Sequence, residues 1–422
     1  MPEPDALEML DLVGPDTYVA HGYPHAAWAR LRRERPVFWC APGGDCTPFW
    51  AITRHADIIA VSKRPRVLLN APRLAVFPEG LPPEEQEVRA RHLLNMDPPD
   101  HARYRKLVSS WFTPRSIGRL APEVERITRE ILDGLTREGA TSELDFVSDV
   151  AAPLTLWVLA EMLGVPREDW RRMFEWTNQI AGSSDPEFRK PGATAQETAA
   201  EARQSLFEYF AALAEERRAS PRNDIVSVLA NAKLDGEPLH PLELLSFYFL
   251  LVVAGNETTR NAASGGLLAL IENPDELEKL RLDPGGVERA VEEIVRWTSP
   301  VIQFCRTPTH DLELGGQKIR AGQALCLFYP SANRDEAVFD APDSFRVDRA
   351  PNPHLGFGIG EHFCLGANLA RLELRVLLRE LVARIESVEL SGPFERTRSS
   401  FLGGVKRMPL RWMLRAPSPG RA

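Results

Sequence analysis

The chain has 422 residues, 44% hydrophobic and 26% charged, so a large buried core is possible, and length alone would allow two or three domains. The net charge of -8 argues against a nucleic-acid binder held by phosphate contacts. Its five cysteines form no C-x-x-C pair, which weakens zinc-ribbon and iron–sulfur readings and fits a reducing cytoplasm.

The N-terminal stretch MPEPDALEMLDLVGPD is acidic and broken by prolines, unlike a secretory signal. In MDPPDHARYRKL, Asp100 is placed to cap a helix on which His101 and Arg105 share a face. A solvated basic helix end is the plainer reading of that element. APEVERITREILDGLTREG has apolar residues at helical spacing and a glycine stop. The polar segment 182–202 reads as a loop between helices rather than an interdomain linker, because apolar helical patterns continue on both sides. From Pro241 to Pro274 the pattern predicts one long helix, apolar nearly all round in its first half and therefore buried. Its longest apolar run, FYFLLVVAG, falls well short of the roughly 18 residues of a membrane span. The same helix carries AGNETTRN, where Gly255, Glu257, Thr258 and Thr259 interrupt an apolar surface at a desolvation cost. AVEEIVRW sets Glu293 and Arg296 three apart on one helix face. DLELGGQKIRAGQALCLFY alternates around Gly-Gly and Ala-Gly turns and predicts a small sheet. The expected fold class is mainly α with small antiparallel β-sheets.

The stretch GFGIGEHFCLG, residues 356–366, holds four glycines and Cys364, with an amphipathic helical pattern directly behind it. A cysteine at a helix N-terminus meets unpaired N–H groups that favour the thiolate. A thiolate facing a broad planar space suits an axial ligand of haem iron. The plainer reading is a buried cysteine in a glycine turn. The full spacing F-x-x-G-x-x-x-C-x-G, met by Phe357, Gly360, Cys364 and Gly366, resembles the haem-binding signature of cytochrome P450 monooxygenases.

The resemblance runs from about Asp16 to about Met413 and implies a single cytochrome P450 domain over 1–422 with frayed tails. It implies haem b, with Cys364 as metal ligand in a loop that includes Phe357, Gly358 and Gly366. His101, Arg105, Arg306 and His362 match the family's propionate contacts. Ala254 and Gly255 would leave room for O2, and Glu257 and Thr258 would form the acid–alcohol pair that delivers protons. Glu293 and Arg296 would be structural, tied to Arg349 or its neighbour Arg346. The substrate pocket would draw on Val301, Ile302, Phe401 and Leu402, and on the loops around 72–88 and 182–202. The implied reaction is hydroxylation or epoxidation of a hydrophobic terpenoid, steroid or lipid. Tailoring of a macrolide or similar scaffold is the alternative, with a peroxide-driven peroxygenase and a haem sensor as further rivals. Electrons would come from a separate ferredoxin and its reductase, docking on Arg103, Lys106, Arg115, Arg371 and Arg375. The protein is expected to be a cytoplasmic monomer with no nucleic-acid or membrane partner. Cys305 has no role in this scheme beyond packing.

Overall fold

The computed structural model describes residues 11–42, 46–76, 91–136, 141–181 and 186–415. The two expected tails and parts of the two expected pocket loops lie outside the described residues. Helices α1 (Asp100–Ser109), α2 (Ala121–Gly134), α3 (Ala152–Leu163), α4 (Trp170–Ala181), α5 (Ala195–Ala219), α6 (Pro241–Glu272), α7 (Val287–Thr298) and α8 (Ala367–Arg384) surround the site. Helix α6 is the long apolar helix, and it packs against α3, α4, α5, α7 and α8. Pro274 opens a separate helix rather than closing α6.

Two local expectations need correcting. Asp100 does not cap α1: it is the first helical residue, and its carboxylate is drawn outward to Arg91 and Arg103. The polar segment 182–202 is not loop throughout. A capping box starts α5 at Ala195, with Thr194 Oγ1 accepting the Glu197 N–H at 3.2 Å and Glu197 Oε2 accepting the Thr194 N–H at 2.8 Å.

Strands β1 (Val37–Cys40), β2 (Phe49–Ile52), β3 (Leu68–Leu69), β4 (Ser142–Asp145), β5 (Gln303–Pro308), β6 (Ala324–Phe328), β7 (Ile385–Leu390) and β8 (Pro409–Leu414) form two sheets. Their orders are β1-β2-β6-β5-β3 and β7-β8-β4. The pairings are antiparallel except β2 with β6, which run parallel. The alternating stretch near 311–329 is split: a hairpin pairs Leu312–Leu314 with Gln317–Ile319, while β6 enters the larger sheet.

A buried carboxylate ties the helices to the cysteine loop. Glu293 and Arg296 are both fully buried and meet through two bonds of 2.7 Å. Arg349 Nε donates to both Glu293 oxygens at 3.2 and 3.0 Å, so Arg349 is the third partner. Arg346 contributes only its backbone N–H at 2.9 Å, while its side chain reaches Asp340 and Asp348. Arg296 also donates to the carbonyls of Asn333, Pro342 and Ser344. Asn333 Oδ1 in turn accepts the N–H of Leu355, at the entry to the cysteine loop, at 2.7 Å. Within that loop Gly360 sits at φ +80°, and a Cβ there would lie 2.7 Å from the Ser62 carbonyl oxygen.

Glu293→Ala should destabilise the fold by about 3–5 kcal/mol, because it strands two buried guanidinium groups. Chemical denaturation measures this, and a loss below about 1 kcal/mol, as for a surface pair, would contradict it. Gly360→Ala should cost about 1–3 kcal/mol by the same assay, since it adds left-handed strain to a backbone collision.

Candidate active site

The cysteine loop is held by its own backbone. The Cys364 N–H donates to Phe357 O at 2.9 Å and the Gly358 N–H to Leu355 O at 2.8 Å. Helix α8 starts two residues past the sulfur's neighbour Leu365, with Gly366 as a cap that has no side chain. The helix-terminal donors expected from the sequence are present. Burial nevertheless pushes the Cys364 thiol up, against the opposing pull of the Gly366 N–H, Arg105, Arg371 and the Ala367 N–H. Cys364 is exposed by surface area although protein surrounds it, so its sulfur borders an interior hollow. A Cβ on Gly366 would likewise meet nothing within 4 Å.

Helix α6 shows the matching feature. Ala254 is exposed in the middle of this otherwise buried helix, between buried Val252 and Asn256. Gly255 serves a different purpose from the one expected. A Cβ there would stand 3.3 Å from Leu159 Cδ2, so its missing side chain admits helix α3. The exposed small side chain on this stretch of α6 is that of Ala254.

A basic cluster gathers three distant parts of the chain. His101 and Arg105 come from α1, Arg306 from β5 and His362 from the cysteine loop. The His101 and His362 rings lie 4.0 Å apart, and His101 Nδ1 is 3.1 Å from Glu361 Oε1. His362 Nε2 is buried with no hydrogen-bond partner among the described residues. Its pKa is pushed down to about 2 by burial and then by His101, Arg306 and Arg105. Burial also lowers Arg105, which Cys364 and Glu361 partly offset. Buried Arg306 donates to Cys305 O at 2.7 Å. Two guanidinium cations and two imidazole donors crowded this closely suit an anionic group laid among them. A soft sulfur donor, open space at Gly366 and a set of arginine and histidine donors together fit haem, which has an iron centre, a planar ring and two carboxylates.

Above Ala254 on α6, the Thr258 hydroxyl donates to Ala254 O at 2.9 Å. Buried Glu257 accepts from Arg260 through Oε2, while Oε1 has no partner among the described residues. Burial raises the Glu257 carboxyl despite Arg260. Arg260 also donates to Asn178 Oδ1 on α4 at 3.2 Å. Asn256 is bonded to Thr155 at 2.8 Å and to Thr177 at 3.2 Å, fastening α6 to α3 and α4. Sequence reasoning missed the roles of Arg260 and Asn256. The spacing of Glu257 and Arg260, three apart on one helix, was the available signal for the first.

Val301, Phe401 and Leu402 are half-buried and come together: Val301 bridges Leu402, and the Ile302 N–H donates to Phe401 O at 2.9 Å. Phe401 also meets Phe304 edge-on at 5.6 Å. Ile302 is corrected: it is fully buried in the cluster of Trp28, Leu31 and Phe328, on the face opposite Val301. Cys305 is fully buried opposite Cys326 in the sheet, consistent with packing. Of the expected docking cations, Arg103 is engaged by Asp100 and Asp235. Arg371 is engaged by Glu292 at 2.6 Å.

The sequence profile of the family described as Cytochrome P450 matches residues 75–283 and 287–397. The chain is 39% identical over 404 residues to a steroid C26-monooxygenase from Mycolicibacterium smegmatis, covering 93% of this chain and 91% of that protein. It is 40% identical over 395 residues to a methyl-branched lipid omega-hydroxylase from Mycobacterium bovis, covering 92% and 90%. Its fold matches the Mycobacterium marinum cytochrome P450 CYP268A2, solved in complex with pseudoionone, at a TM-score of 0.88 and 37% identity, covering 95% and 98%. The helical body, the cysteine loop and these relatives agree: the chain belongs to the cytochrome P450 family of haem-thiolate monooxygenases.

Proposed function

We propose that Cys364 is the thiolate ligand of a haem b whose carboxylates lie among His101, Arg105, Arg306 and His362. The observation that carries this reading is Cys364, exposed yet surrounded by protein and beside Arg105, next to a His362 whose buried Nε2 has no partner among the described residues. Bound there, haem supplies the activation of O2 that incorporates one oxygen atom into substrate. The chain's own residues position and move protons. Thr258 sits one turn beyond Ala254, and its hydroxyl donates to the Ala254 carbonyl. Glu257 holds a buried carboxyl whose Oε1 has no partner among the described residues, and burial favours its protonated form, which suits a proton donor.

The substrate in this reading is a steroid, terpenoid or branched lipid, hydroxylated at an unactivated carbon. Half-buried Val301, Phe401 and Leu402 give it apolar contact, and the relatives that act on a steroid and a branched lipid support the class. Electrons come from a separate ferredoxin and reductase. Arg371 and Arg103 are engaged in ion pairs, so the docking patch centres on Lys106, Arg115 and Arg375. A monomeric, cytoplasmic protein with no nucleic-acid partner completes the reading. Among the described residues no helix is long and apolar enough to cross a membrane.

Thr258→Ala should retain haem and substrate binding but divert reducing equivalents to hydrogen peroxide, lowering product per NADH several-fold. Unchanged coupling would remove the proton-delivery role. A panel of steroids, terpenoids, branched lipids and macrolides, followed by the haem absorbance shift on binding, should respond to the first three classes. A response confined to macrolides would overturn the substrate assignment.

A further inference from the structure

One buried amide joins the segments that form the proposed pocket wall. Gln303 opens β5 and is fully buried. Its Nε2 donates to Val76 O at 2.7 Å and, at the longer distance of 3.4 Å, to Ser400 O. Its Oε1 accepts the Val76 N–H at 3.1 Å and the Cys326 thiol at 2.9 Å. These partners fix which end is which. An N–H and an S–H converge on one atom, which must be the oxygen, and two carbonyls take the other. Val76 and Cys326 belong to one core cluster with Ile302, Cys305 and Phe328, so the amide is satisfied entirely inside the protein.

The side chain of Gln303 stands in for a rung of the sheet. Strand β3 pairs with β5 through Leu68 opposite Pro308 and Leu69 opposite Thr307. Farther along β5 the Cys305 N–H donates to Leu74 O at 2.7 Å. Two residues on, both backbone groups of Val76 are taken by the Gln303 amide. Residues 74–76 are thereby fastened to β5 where the expected pocket loop 72–88 begins. Ser400 leads into Phe401, whose ring meets Phe304 edge-on at 5.6 Å, and Leu402 bridges Val301. Three stretches far apart in the chain, 74–76, 301–304 and 400–402, meet at one side chain. An apolar side chain of similar volume would fill the core without the cost of burying an amide. What the amide adds is a single direction for the segments it binds.

We propose that Gln303 is a positioning residue that sets the shape, and so the selectivity, of the substrate pocket by holding Val76 and Ser400 against β5. The inference rests on the reading of Val301, Phe401 and Leu402 as pocket residues. Without the clamp the binding-competent wall is only part of an ensemble. The affinity for a ligand that needs this wall then falls by the fraction populated, while a ligand that needs only the iron is unaffected.

Two azoles read these cases in the haem-loaded protein, whatever the natural substrate is. Imidazole is small and needs the iron alone; clotrimazole is bulky and must fill the pocket as well. Gln303→Leu should keep haem content and hold the imidazole Kd within about twofold, while the clotrimazole Kd rises about tenfold. Hydroxylation of testosterone, linalool or pristanic acid, whichever is turned over, should spread to additional positions. Gln303→Glu keeps the shape, and burial favours its protonated form, which can donate to Val76 O and accept the Val76 N–H. It should restore the clotrimazole affinity and the product ratio. If Gln303→Leu does not fold, Gln303→Met, whose flexible thioether fills a similar length, carries the same expectations. Unchanged clotrimazole affinity and product ratio in the folded variant would overturn the proposal, as would an equal loss of imidazole affinity, which marks a general structural defect. The same loss in Gln303→Glu as in Gln303→Leu would overturn it too. If none of the three substrates shifts the haem absorbance of the unaltered protein, the substrate class fails, and the azole comparison still decides the role of Gln303.

Discussion

The geometry of the site depends on one carboxylate that never meets solvent. Glu293 binds Arg296 and Arg349 at once and accepts the backbone N–H of Arg346. Those two guanidinium groups hold five backbone carbonyls between Asn333 and Ser344, fixing a segment with little regular secondary structure. Asn333 passes that order to Leu355 and so to the loop that presents Cys364. A fully buried ion pair is weak evidence for net stability, because desolvation opposes the Coulomb gain. Its value here is geometric. It gives an irregular stretch one conformation, and the cysteine loop inherits that position.

A second constraint is the management of burial around charge. The protein places His101, Arg105, Arg306 and His362 close enough that burial and mutual repulsion depress His362 strongly. Such crowding is unfavourable unless an anion completes it, so the proposed seating of haem carboxylates there would stabilise the folded corner. On α6 the opposite problem is handled locally. Glu257 is buried, but Arg260 on the same helix takes one oxygen, and the other remains available for chemistry.

Much of this was legible in the sequence, for identifiable reasons. The long apolar run of α6, the glycine spacing around Cys364 and the Glu293–Arg296 pair are local signals with strong periodicity or strict spacing. What the sequence concealed depends on tertiary contact. Gly255 looked like a gap for oxygen, yet its neighbour is Leu159, contributed from a helix almost a hundred residues earlier. The sequence puts Val301 and Ile302 side by side, but neighbouring residues on an extended chain face opposite ways, and Ile302 lies in the core. Asp100 had the composition of a cap, and two arginines drew its carboxylate elsewhere. The cavity between the Pro15–His21 helix, α6 and the Gly403–Gly404 turn had no sequence signature, because its walls come from distant parts of the chain.

Ligation of iron by Cys364 is the claim to which the other assignments refer. X-ray absorption at the iron edge of the haem-loaded protein reads it directly. One sulfur in the iron's first coordination shell, absent in Cys364→Ala, is the expected result. A first shell of nitrogen and oxygen alone in the unaltered protein, or a sulfur that persists in Cys364→Ala, would contradict it.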